Sequence, residues 1–167
     1  MKKTLKIIST VILLLTIMTS CTSESQKNIN ELLNELNKNY GYDFKAEYFT
    51  IEKKENIIYH IMTDNNTLYS LYSNKNGEII QCTLSSFDKN SKKNYNLLIN
   101  TGVILTNQTQ KNFSTFIKNA QEYGKYEKNG WTVVLISHTT ADTFIINKSG
   151  NPINHNNQPT LKNNGSG

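Results

Sequence analysis

Arginine is missing from this 167-residue chain, cysteine and proline occur twice each, and tryptophan occurs once. Without arginine there is no planar fork for two-pronged recognition of phosphate or carboxylate. Cys21 and Cys82 are too few for a disulfide framework or a multi-cysteine zinc site. No His-Glu-x-x-His, Gly-x-Ser-x-Gly or glycine-rich phosphate loop occurs, which excludes the motif-borne forms of zinc, serine and nucleotide chemistry. Long apolar runs are absent too. The longest, over 7–18, falls well below the ~20 residues of a membrane-spanning helix.

That run has another reading. Lys2 and Lys3 precede it and small residues lead from it to Cys21, the charged, apolar, cleavable order of an export signal. Met18-Thr19-Ser20-Cys21 resembles the lipobox of bacterial lipoproteins. The resemblance implies loss of residues 1–20, a diacylglyceryl group and further acyl chain such as palmitate on Cys21, and residence on the extracytoplasmic face of the cell membrane. The alternative is a secreted protein cut near Ser20. Once Cys21 carries lipid, Cys82 has no partner for an intrachain disulfide.

The formal charge of +5 is inflated by that signal. Removing Lys2, Lys3 and Lys6 from 18 lysines leaves 15 against 13 acids, a mature charge of +2. Nucleic acid needs a concentrated basic stripe, so no nucleic-acid partner is expected. The expected partners are the membrane, through the lipid on Cys21, and an envelope protein, peptide or small ligand.

The expected organisation is a signal peptide over 1–20, the lipidated cysteine and a short linker over 21–26, one α+β domain over 27–148, and a disordered polar tail over 149–167. Ile29, Leu32, Leu33 and Leu36 make one helical stripe within 27–40, with Ser25 to cap it and Gly41 to end it. Strands are predicted at 44–52, 57–63, 67–73 and 78–84, an antiparallel meander turning at Asn65-Asn66 and Asn76-Gly77. Two-residue turns at both places set Met62 against Tyr69, His60 against Leu71, Leu71 against Cys82 and Ser73 against Ile80. One face then carries Phe49, Ile51, Ile58, His60, Met62, Tyr69, Leu71, Ile80, Cys82 and Leu84. A three-residue loop in either place would invert a strand. Two helices follow, one capped by Asp88 with Tyr95, Leu98, Ile99 and Val103, and one capped by Thr109 with Phe113, Phe116, Ile117 and Ala120. A hairpin of 131–137 and 143–147 closes the domain, its run Val133 to Ile136 apolar enough for cover on both sides.

The helix followed by an antiparallel meander resembles a cystatin-like arrangement, and 57–80 is similar to the paired strands of PepSY domains. Neither resemblance carries a function here. An echo between Leu36-Asn37-Lys38-Asn39-Tyr40-Gly41 and Ile117-Lys118-Asn119…Tyr123-Gly124 hints at duplicated halves.

Catalytic chemistry finds little footing. His60 and Cys82 share a face, but on strands flanking a third, which puts their backbones ~9–10 Å apart with Leu71 between. A buried thiol and a core histidine are the expected reading, with an envelope hydrolase or thiol enzyme using Cys82 or His60 as the alternative. His138 and His155 have no second ligand at helical spacing, so no metal and no cofactor are expected. What remains is aromatic. Tyr48, Tyr59, Ile61, Leu68 and Tyr72 project on the second sheet face and form the candidate binding surface, unless the later helices cover them as core. The expectation is a small binding module rather than an enzyme, with a structural envelope role as the other possibility.

Overall fold

The computed structural model describes residues 28–64 and 66–153. The signal, Cys21, Ser25, Asn65, His155 and the tail beyond Ile153 lie outside the described residues.

Helix α1 spans Ile29–Tyr40 and buries Leu32, Leu33 and Leu36, the stripe its spacing predicts. Its start is set by Asn28, whose side chain accepts from the Glu31 N–H while Glu31 reaches back to the Asn28 N–H. This capping box, rather than Ser25, satisfies the first-turn donors. Gly41 ends the helix at φ 73°, a left-handed conformation that glycine adopts without a Cβ penalty.

Four strands follow, β1 (Thr50–Lys54), β2 (Ile57–Asp64), β3 (Thr67–Asn74) and β4 (Ile79–Ser86). Then come helices α2 (Lys92–Thr106) and α3 (Gln110–Tyr123), and strands β5 (Lys125–Lys128), β6 (Trp131–Ser137) and β7 (Asp142–Lys148). The fold is α+β, and the expected meander β1-β2-β3-β4 is extended by the C-terminal strands into one antiparallel seven-stranded sheet in the order β1-β2-β3-β4-β7-β6-β5. Strand β5 (Lys-Tyr-Glu-Lys) escapes sequence reading because its charges mask any alternation. It forms because Asn129-Gly130 makes a tight turn, both residues at positive φ (52° and 74°), which lays it against β6. The α2 cap is Ser91, which accepts from the Asn94 N–H, rather than Asp88, while Thr109 caps α3 as expected.

The register holds by cancellation. The loop after β3 contains three residues, closed by the Asn74 N–H donating to the Glu78 carbonyl, with only Gly77 at positive φ. Alone, that extra residue would invert β4. A bulge beside Ile79 and Ile80 takes it up again, so Ser73 faces Ile79 instead of Ile80, while Leu71 faces Cys82 as predicted and Tyr69 faces Leu84. Ile80 is thereby moved to the opposite face, where it packs with Tyr59, Ile61, Leu68 and Tyr72.

All three described helices pack on one sheet face. Leu32 and Leu36, Leu98, Phe113 and Ile117 share a single core with Phe49, Tyr69, Leu71, Cys82, Leu84, Val133 and Ile146. Ile51, expected in that core, is exposed on the edge strand, and Tyr95 is exposed on α2. Of the doubly apolar run only Val133 is buried, and the next three residues are half-buried.

The echo within the sequence has a structural counterpart. Tyr40-Gly41 and Tyr123-Gly124 both end a helix with a left-handed glycine, and each helix leads into an antiparallel run of strands. The last strands of the two runs, β4 and β7, pair at the centre of the sheet.

Candidate functional site

Strands β2, β3 and β4 bring Tyr59, Ile61, Leu68 and Tyr72 together on the face opposite the three described helices, with Ile80 and the half-buried Ile57. Tyr59 and Tyr72 are direct neighbours across β2 and β3 and meet edge to face, ring centres 4.9 Å apart. Four of the five candidate surface residues therefore assemble as expected. They are not open, since none of the four is more than 8% exposed. Toward β7 the face turns polar but stays uncharged, with Ser70, Gln81, Thr83, Ser85, Thr143 and Asn147 all buried. Ser85 and Thr143 share a hydrogen bond of 2.9 Å, while Ser70 Oγ and Asn147 Oδ1 are buried without a hydrogen-bond partner among the described residues.

Tyr48 is the exception. Strand β1 begins at Thr50 rather than at 44, so Phe44 and Tyr48 do not alternate across the sheet. Phe44 turns into the helix-side core, and Tyr48 sits in a 3₁₀ turn (Ala46–Tyr48), 46% exposed. There it lines an open cleft of about 590 Å³ between the α1–β1 loop, the end of β2 and the first turn of α2. That volume is in the ~300–1,000 Å³ range of small-ligand sites.

The cleft has an aromatic wall and a polar rim. Tyr42 and Phe44 stack with ring centres 5.1 Å apart and planes 8° from parallel, and Phe44 stacks in turn on the buried Tyr69. Asn37 on α1 holds this wall in place. Its side-chain amide donates to the Phe44 carbonyl at 2.7 Å and accepts from the Phe44 N–H at 2.8 Å, a two-point clamp on the loop backbone. The Tyr42 hydroxyl accepts from Asn100 at 3.3 Å, and burial pushes its pKa up despite that bond. Opposite stand Met62, Thr63, Asp64 and Lys93, the last two an exposed ion pair at 3.7 Å. Asn94 behind them is fixed by donating to Ser86 Oγ at 2.8 Å. Sequence reading missed this site because its parts lie more than 50 residues apart. The available signal was the density of aromatics (Tyr40, Tyr42, Phe44, Tyr48) in a segment that connects helix to strand, where binding residues concentrate.

His60 and Cys82 are placed as the register predicts, each facing Leu71 from opposite sides of β3. Burial drives the Cys82 thiol up to about 12, against the opposing effect of a hydrogen bond with Tyr69. A thiol with that pKa is protonated at neutral pH and is no nucleophile. His60 is half-buried, and desolvation lowers its pKa, so the neutral ring is favoured. It borders a second groove of about 360 Å³ with Ile29, Phe49, Ile51 and Ile58 and the polar Asn28, Asn30 and Ser73, with no second titratable group among the described residues that line it. His138 is exposed at the β6–β7 turn, where its N–H donates to the Ala141 carbonyl. Among the described residues no three His, Cys, Asp or Glu side chains come together as a metal site, and no helix is long and apolar enough to cross a membrane. Comparison with known protein families, with curated proteins and with solved structures finds no match for this chain.

Proposed function

We propose that this chain is a lipid-anchored, extracytoplasmic binding module whose ligand site is the aromatic cleft beside Tyr42, Phe44 and Tyr48. The observation that carries the reading is the pre-set wall. Asn37 clamps Phe44 at both backbone atoms, so the loop is ordered before a ligand arrives and binding costs little further entropy. The lipobox residues Met18 to Cys21 support the anchor. A thiol or hydrolytic reading fits less well, because Cys82 is buried and protonated and Leu71 stands between it and His60.

Titrating the protein with a library of small neutral fragments tests the site. Amide resonances of Tyr42, Phe44, Tyr48 and Thr63 are expected to move together. Fragments that gather on other surfaces, or on none, defeat the cleft reading. The anchor has its own test. Two acyl chains hold a protein on a bilayer stably where one is marginal. Cys21→Ser is thus expected to release the protein or leave it unprocessed, and a wild-type protein that takes up no labelled fatty acid overturns the anchor.

A further inference from the structure

Given the cleft reading, on which this step rests, we infer that the ligand is a neutral carbohydrate. Three features of the lining point there. First, the apolar surface is aromatic and planar. Tyr48 is 46% exposed, and Tyr42 caps a stack over Phe44 and the buried Tyr69, so the outer face of Tyr42 and the Tyr48 ring offer flat surfaces rather than a branched aliphatic pocket. The C–H-bearing face of a pyranose packs on such rings, and tyrosine adds a polar tip at the edge. Second, the rim is rich in groups that bond to hydroxyls. Asp43 and Asp64 are acceptors, and Thr63 and Thr67 both donate and accept. Third, the rim carries little net charge. Of the lining charges, Asp64 is paired with Lys93 at 3.7 Å, which leaves Asp43, and Lys45 stands nearby with its ammonium over the Tyr48 ring at 5.7 Å.

Each competing ligand class meets a cost. A strongly charged ligand gains little from a rim whose lining charges are two carboxylates and one lysine with a second lysine nearby, and the chain has no arginine for a carboxylate or phosphate fork. An aliphatic ligand would strip water from Asp64, Thr63 and Thr67 without replacing their hydrogen bonds. A peptide added as an eighth strand would have to pair with β1 or β5. Those edges carry Glu52, Lys53 and Lys54, and Lys125, Glu127 and Lys128, charges of the kind that discourage strand addition. A polyhydroxylated molecule with an apolar face meets none of these penalties, and about 590 Å³ has room for more than one sugar ring.

The test uses the full-length protein in a detergent without a sugar headgroup. Chitotetraose and cellotetraose are titrated in one pair of arms, a neutral tetrapeptide and decanol in another. At least one saccharide is expected to shift the Tyr42, Phe44, Tyr48 and Thr63 resonances saturably. Tyr48→Ala, exposed and therefore tolerated by the fold, is expected to weaken that binding roughly tenfold with an unchanged melting temperature. If the tetrapeptide or decanol occupies the cleft and neither saccharide does, the carbohydrate assignment fails while the cleft remains a ligand site. If no probe reaches the cleft, both fail. Saccharide binding that is indifferent to Tyr48→Ala also overturns the assignment.

Discussion

Replacing Gly102 with alanine is expected to destabilise the fold by about 3 kcal/mol, the upper part of the range for overpacking a core. Helix propensity alone points the other way, since alanine is better than glycine inside a helix by ~1 kcal/mol. Packing decides the sign. A Cβ placed on Gly102 lies 1.9 Å from both Cε1 and Cζ of Phe113 and 2.6 Å from its Cδ1. Real carbon contacts are never this short, so either the Phe113 ring or the α2–α3 spacing must give. The ring is fully buried and meets Phe116 edge to face at 5.6 Å, which leaves it little room to swing. Chemical denaturation checks the sign, and a double variant checks the cause. Gly102→Ala with Phe113→Leu is expected to be more stable than the sum of the single losses, because the second change removes the atoms struck by the first. A neutral or stabilising Gly102→Ala contradicts the close approach of the two helices.

Tyr59→Ala and Tyr72→Ala are each expected to cost about 3 kcal/mol in the full chain, by analogy with large-to-small aromatic truncations. Tyr72 is 1% exposed and Tyr59 4%, and each loses its edge-to-face partner when the other is truncated. Their effects should accordingly fall short of additive. Neither variant should alter ligand binding at the cleft, which lies on the other side of the sheet. The same measurement on a chain beginning at Thr22 decides whether this face is core in the processed protein. Equal losses in both chains make it core. A loss confined to the full chain makes the five-residue cluster an accessible surface after processing, and restores the sheet face as a second place for a partner.

Local signals were sufficient wherever a residue's neighbours in sequence are also its physical partners. The stripe of Leu32, Leu33 and Leu36, the Thr109 cap with Phe113, Phe116 and Ile117 below it, and the Asn65-Asn66 register all rest on contacts between residues close in sequence, and all stand as read. Long-range pairing decided the rest. The charged segment Lys125–Lys128 becomes a strand only because β6 lies beside it. Two local irregularities, a three-residue loop and a bulge at Ile79 and Ile80, each invisible to alternation, cancel to keep Cys82 in the core. Phe44 and Tyr48 look like strand residues by composition. The Asn37 side chain holds Phe44 in a loop instead, because a backbone whose N–H and C=O are both satisfied there has no need of a sheet ladder. The cleft exists only where that loop meets Met62 on β2 and Lys93 on α2. No sequence window holds all three, so composition announced the aromatics and tertiary packing alone turned them into a site.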